Sequence, residues 1–158
     1  MLFLDTSALV KAYLDEPGSD VVRAIIKERR PFVYVSNHVA LETLAAFASN
    51  LRRLHIQPKR YHRARAEFFR DFPGGFTVVE VPAEVVENAM ELADTYRALG
   101  VGSIDLVHVA TVERLAWANG GVPTIVCADR AMRNLAAAAG LGVFNPETDD
   151  PAALPPPG

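Results

Sequence analysis

Cysteine is all but missing from this chain: Cys127 is the only one among 158 residues. An intrachain disulfide is therefore excluded, and a reducing, cytoplasmic setting is the expectation. The neighbours Ile125, Val126 and Ala128 mark Cys127 as a buried strand thiol. With no CxxC pair, and no HExxH spacing among His38, His55, His62 and His108, nothing is laid out for zinc. No apolar run approaches the roughly 20 residues of a membrane span. Met1 leads straight into a strand-like run without a charged segment before it, so no secretory leader is expected. GxGxxG and GxxxxGK are both absent, which sets aside dinucleotide and P-loop readings. Positive charge is not in excess either. A net charge of −3 argues against a globally basic nucleic-acid binder, though a local basic patch remains compatible with it.

What is present suits one compact domain. Half of the residues are hydrophobic and 22% are charged, enough apolar material for a core without staples. Short β-type runs alternate with longer helical patterns. Strands are expected at Leu2 to Leu4, Phe32 to Val35, Phe76 to Val81, Thr124 to Cys127 and Gly142 to Phe144. Helical patterns occupy Ala8 to Leu14, a stretch N-capped by Ser19, Asn37 to Leu54, Pro58 to Phe72, Ala83 to Leu99, Ser103 to Asn119 and Arg130 to Ala139. Pro73-Gly74-Gly75 is read as a helix stop. Strands separated by helices imply crossovers, hence an α/β fold with a parallel sheet covered on both faces. The domain is expected to span residues 1–146. From Pro146 onward five of thirteen residues are proline, with Glu147, Asp149 and Asp150 among them, and residues 147–158 read as a frayed acidic tail.

Four carboxylates stand out. Asp5 follows an apolar strand and opens Asp5-Thr6-Ser7; Glu42 sits in Val39-Ala40-Leu41-Glu42-Thr43-Leu44; Asp105 lies in the first turn of a helix; Asp129 follows the strand that ends at Cys127. Each has an ordinary explanation. Asp5 and Asp129 suit helix N-caps, Asp105 suits the positive end of a helix dipole, and Glu42 suits an exposed helix face. The explanation is weakest for Glu42, whose helical neighbours His38, Val39, Ala45 and Ala46 include no Lys or Arg. Asp105 likewise faces His108 and Val109. Asp5 and Asp129 both lie just past strand carboxyl ends, the edge where open α/β sheets bind ligands. If those strands are neighbours, two like charges ~4 Å apart repel by ~4 kcal/mol at an effective dielectric of 20. A divalent cation relieves that conflict, and an all-oxygen donor set suits Mg²⁺ or Mn²⁺.

In order and spacing these segments resemble the PIN domain, and within it the VapC-like toxins of toxin–antitoxin systems. The resemblance covers Met1 to Pro146. It rests on Asp5-Thr6-Ser7-Ala8-Leu9-Val10, Leu41-Glu42, Ser103-Ile104-Asp105-Leu106-Val107-His108-Val109-Ala110, Cys127-Ala128-Asp129-Arg130 and Ala139-Gly140-Leu141-Gly142-Val143-Phe144-Asn145-Pro146. It implies a three-layer α/β/α sandwich whose sheet has the order 3-2-1-4-5, which sets the strand ending at Asp5 beside the one ending at Asp129. It implies a Mg²⁺- or Mn²⁺-dependent endoribonuclease that leaves 5′-phosphate and 3′-hydroxyl ends, with a protein antitoxin as partner and a homodimer as the assembly. By the same resemblance Asp5, Glu42, Asp105 and Asp129 form the acidic set. Asp5 and Asp105 touch the metal, Asp129 binds it through water or holds a second ion, and Glu42 completes the shell or orients the water. Ser7 orients Asp5 by hydrogen bonding. One departure concerns Cys127, where many relatives carry Thr or Ser; a thiol is a poorer hydrogen-bonding group.

Other classes fit less well. A receiver domain needs an acidic pair after its first strand and a lysine near its last, but Thr6 follows Asp5 and no lysine occurs after Lys59. Haloacid-dehalogenase phosphatases need Asp-x-Asp, and Ser7 occupies the second position. A PIN nuclease of RNA maturation without an antitoxin, and a non-catalytic binding module on the same scaffold, remain as alternatives. The stretch from Arg52 to Arg70 holds seven of the sixteen basic residues against one acid, Glu67. Arg52, Arg53, Arg60 and Arg63 are the candidate RNA contacts, with a solvated helix face as the plainer alternative. Apolar surface in Ala40 to Leu54 and Ala83 to Leu99 agrees with a homodimer, or with helices that merely cover the sheet.

Overall fold

The computed structural model describes residues 1–29 and 32–156. In chain order the elements are β1 (Leu2–Leu4), α1 (Thr6–Tyr13), α2 (Ser19–Arg29), β2 (Val33–Ser36), α3 (Asn37–Arg52), α4 (Pro58–Gly75), β3 (Thr77–Val79), α5 (Ala83–Thr95), α6 (Ser103–Asn119), β4 (Thr124–Val126), α7 (Arg130–Ala138) and β5 (Gly142–Phe144). Short 3-10 turns lie at Arg97–Leu99 and Pro151–Ala153. All five strands are parallel, in the order β3-β2-β1-β4-β5, as the resemblance implied. β1 pairs with β4 through Leu2↔Thr124, Phe3↔Ile125 and Leu4↔Val126. The chain thus winds outward from β1 in one direction and then in the other. Right-handed crossovers put the two sets of helices on opposite faces. The packing agrees: α1 lies on α2, α3 and α4, whereas α6 lies on α5 and α7. β1 is buried throughout, and Leu2, Phe3, Leu4 and the neighbouring Val33, Val35, Ile125 and Val126 are at 1% exposure or less. A strand covered on both faces reads as a continuous apolar run, which is what β1 is.

Three local expectations change. Helix α4 does not stop at Pro73 but runs through it to Gly75. Proline forfeits one main-chain bond there, yet its fixed φ is helical. Phe72 stacks on Phe68 at 5.2 Å and leans on Phe76 at 6.4 Å, so ring packing holds the final turn. Ser19 does not cap α2. Its hydroxyl donates to the Leu14 carbonyl (2.9 Å) and accepts the Glu16 N–H (2.9 Å), closing the preceding loop. Gly18 in that loop has φ +82°, and a Cβ on it would fall 2.6 Å from the Pro146 carbonyl oxygen. Only glycine lets the two segments touch.

The stretch after Pro146, expected to fray, packs against the domain as far as Pro155, while residues 157–158 of that expected tail lie outside the described residues. Asp149 accepts the Asn145 N–H (2.8 Å), Asp150 caps the final turn through the Ala152 N–H (2.9 Å), and Leu154 is 8% exposed. Glu147 meets the buried Lys11 ammonium at 2.7 Å, and the Arg29 guanidinium donates to the Pro155 carbonyl. The acids that suggested a solvated tail are used as caps and as a counter-ion. Among the described residues no helix is long and apolar enough to cross a membrane.

Candidate active site

The neighbouring strands β1 and β4 leave the sheet side by side, and their carboxyl ends form the topological switch point of the fold. Asp5 is the first residue beyond β1. It caps α1, its Oδ1 accepting the Ala8 N–H at 2.9 Å, so the cap reading and the site reading describe one residue. The Ser7 hydroxyl lies 2.9 and 3.0 Å from the two Asp5 oxygens and accepts the N–H groups of Ala128 (2.8 Å) and Asp129 (3.1 Å). One proton given and two lone pairs filled saturate that hydroxyl. It stitches the turn after β1 to the turn after β4. Cys127 donates its thiol to Asp5 Oδ2 at 3.1 Å. Asp5 is 4% exposed, and burial raises its pKa above the ordinary carboxylate value despite the three donors from Cys127, Ala8 and Ser7. Burial also pushes the Cys127 thiol far up, with the Asp5 charge adding to the effect.

Glu42 comes from α3, whose buried face is Val39, Ala40, Thr43 and Phe47. Among the described residues no Lys or Arg answers it, as the local pattern implied, but two groups distant in sequence do. Thr6 Oγ donates to Glu42 Oε2 at 2.7 Å, and His108 Nε2 lies 2.8 Å from the same oxygen. Burial works to raise the Glu42 pKa, but these hydrogen bonds outweigh it and hold the carboxyl below its usual range. Asp105, in the first turn of α6, turns back to accept the Gly102 N–H at 3.0 Å. Its pKa is raised, by burial first, with the Asp129 and Glu42 charges adding to the effect. Asp129 is exposed and caps α7 through the Met132 N–H at 2.9 Å.

All four acids, with Ser7, line one cleft of about 340 Å³. Lys11 lines it too, but its ammonium is committed to Glu16 (3.2 Å) and Glu147 (2.7 Å). Among the described residues no three His, Cys, Asp or Glu side chains draw close enough to make a ready coordination shell. Four carboxylates around one cleft, two of them with raised pKa, still fit a hard cation that keeps most of its waters and takes one or two carboxylates directly. The basic candidates lie outside this cleft. Arg60 lines an adjoining one with Asn50, His55 and Gln57, and the two clefts share Glu16. Arg60 pairs with Asp15 (3.3 Å) and Arg63 with Glu67 (2.8 Å), while Arg52 and Arg53 are exposed at the end of α3.

Sequence reasoning did not single out Thr6, Lys11 or His108 as parts of the site. His108 carried a signal, standing one helical turn after Asp105 on the same face of α6.

The PIN domain family matches residues 2–138. Among solved structures, the Mycobacterium tuberculosis toxin VapC20, described as cleaving the sarcin–ricin loop, is similar with a TM-score of 0.64 at 20% identity, covering 89% of this chain and 96% of that one. FitAcB from Neisseria gonorrhoeae is similar at 0.64 and 17% identity, covering 92% and 98%. VapBC2 from Rickettsia felis, bound to a fragment of its promoter DNA, is similar at 0.60 and 17% identity, also covering 92% and 98%. No curated protein sequence matches the chain. With the family match spanning most of its length and the sheet order in agreement, the chain belongs to the PIN-domain family.

Proposed function

We propose that this chain is a divalent-metal-dependent endoribonuclease and the toxin of a toxin–antitoxin pair, acting in the cytoplasm. The observation that carries the reading is the gathering of Asp5, Glu42, Asp105 and Asp129 on one cleft at the carboxyl edge of the sheet. Acids so placed favour no fold by themselves; buried and half-buried carboxylates cost stability unless something compensates. Asp5 and Asp105 would hold a Mg²⁺ or Mn²⁺ ion directly, with Asp129 reaching it through water. A bound ion of this kind lowers the pKa of water and neutralises charge on a phosphate oxygen. Glu42 orients the attacking water in line with the 3′-oxygen that leaves, so that products carry 5′-phosphate ends. Ser7 and Cys127 fix Asp5, each through a hydrogen bond to its carboxylate.

The toxin assignment draws on the likeness to VapC20 and to the FitAcB and VapBC2 complexes. RNA would run from the acidic cleft over the adjoining one towards Arg60, with Arg63, Arg52 and Arg53 beyond; a site of four carboxylates needs basic side chains nearby to admit a polyanion. A homodimer accords with the apolar residues that α3 and α5 leave uncovered, Leu41 at 68% and Met90 at 69% exposure. Expression in a bacterial host tests the reading. Growth should arrest, newly cut RNA ends should accept ligation as 5′-phosphates, and the product of an adjacent frame should restore growth. Unimpaired growth together with intact RNA contradicts it; arrest that no neighbouring product relieves favours a PIN nuclease of RNA maturation.

A further inference from the structure

We infer that His108 is a positioning residue for Glu42: its Nε2–H and the Thr6 hydroxyl hold one carboxylate oxygen, so that the other is what Glu42 offers to the acidic cleft. The inference rests on the nuclease reading of that cleft. A carboxylate can only accept, so the His108 nitrogen 2.8 Å from Oε2 carries a proton whatever the charge of the ring. With Thr6 at 2.7 Å on the same atom, Oε2 is occupied twice. Oε1 has no hydrogen-bond partner among the described residues, and the Glu42 side chain remains 30% exposed in the wall of the cleft.

The opposite nitrogen shows that this imidazole is not simple core filling. His108 is 2% exposed, tilted against the Phe3 ring at 6.1 Å, and its Nδ1 is buried without a hydrogen-bond partner among the described residues. A leucine would fill the same space without stranding a polar atom, and a stranded polar atom in a core is a cost that most native sites avoid. What compensates here is the bond made by Nε2. That bond also spans the fold. Glu42 belongs to α3 and His108 to α6, in the helix sets on opposite faces of the sheet, and Asp105 lies one turn before His108 on α6. One rigid helix therefore carries an acid of the site and the group that aims another, leaving little reorganisation for the reaction.

Glutamine and asparagine at position 108 separate aiming from filling. The Gln amide reaches the place of Nε2; the Asn amide reaches only that of Nδ1. In Mn²⁺-supported cleavage of a short single-stranded RNA, H108N should lower kcat by about 10- to 100-fold, the usual range for an outer-shell partner, with KM unchanged. H108Q should restore most of the loss. A second readout needs no activity. Proton NMR of the metal-free protein should show a slowly exchanging imidazole Nε2–H far downfield, moving upfield in E42Q. Equal kcat in H108N, H108Q and the parent protein, or no such resonance, overturns the inference. If the parent protein cuts no RNA, the nuclease reading fails while the resonance still decides whether His108 holds Glu42.

Discussion

Cys127 Sγ lies 3.1 Å from Asp5 Oδ2, although the two residues are 122 positions apart. The contact follows from strand order: Leu4 pairs with Val126, so the next residue of each strand emerges beside the other. The thiol occupies a position from which a hydroxyl would also reach the carboxylate, and it donates to Asp5 as a hydroxyl would, more weakly. Metal affinity should therefore respond to the donor rather than to the sulfur. Cys127→Ala is expected to weaken Mn²⁺ binding by about tenfold, the low end for outer-shell changes, and Cys127→Ser to leave it unchanged or tighter. Calorimetric titration reads both. Equal affinity in Cys127→Ala and the parent protein would show that the thiol does not tune the site.

Asp5→Asn and Asp105→Asn should each reduce cleavage by more than the ~100-fold typical of outer-shell changes, without unfolding the protein. Both carboxyls have pKa values raised above 3.8, so the folded state binds their protons more tightly than the unfolded state does. Stability of the metal-free protein then falls as pH rises from below 3.8 through the raised values, and the penalty is complete above them. Asp105→Asn, which keeps an oxygen for the Gly102 N–H, should be more stable than the parent protein near neutral pH and lose that advantage in acid. Urea melts across pH measure this. A variant that cleaves at the parental rate, or is less stable than the parent at neutral pH, contradicts the assignment of that residue.

Much of the fold and site is legible from local pattern. β1 is a buried apolar run that ends on an acid, α6 begins at Ser103 and stops before Gly120 at φ +69°, and Glu42 has no cation within a helical turn. What local pattern cannot encode is the partner brought in by topology. Glu42 meets Thr6 from 36 residues away and His108 from 66, and Lys11 meets Glu147 from 136. Pro73 misleads for a related reason: stacking of Phe72 on Phe68 outweighs a strong local breaker. The acidic tail misleads because its composition suits a solvated segment, and only the fold places Lys11 where Glu147 can answer it.

That ion pair with the tail should matter for stability. Lys11 is 3% exposed, and Glu147 supplies the shorter of its two ion pairs. Breaking a fully buried pair costs about 3–5 kcal/mol. Both carboxylates here keep about a third of their exposure and Glu16 remains, so Glu147→Gln is expected to cost about 1–2 kcal/mol after allowance for solvent screening. Ending the chain at Pro146 should cost more, because Leu154 is then removed from the core it covers. Urea midpoints that match the parent protein in both variants would show that the tail adds nothing to the domain.

Reversal of Arg60 and Arg63 to Glu should weaken RNA binding and reduce its salt dependence, by about 0.7 in log–log slope for every phosphate of a single strand that is no longer neutralised. Metal affinity should not change, since neither residue lines the acidic cleft. Asp15 and Glu67 already pair with these two arginines. If slope and affinity both stay the same, the segment is a solvated, internally paired helix face.

Metal dependence is the central claim. Purified protein would be stripped with EDTA, divided, and supplied with nothing, Mg²⁺ or Mn²⁺, and each portion followed by RNA cleavage and by thermal melting. No cleavage is expected without metal and full cleavage with either ion, together with a stabilisation of about 2.7 kcal/mol at a hundredfold excess over Kd that shrinks as acid protonates the carboxylates. Cleavage that persists undiminished in EDTA, with a melting temperature indifferent to both ions, would contradict the account.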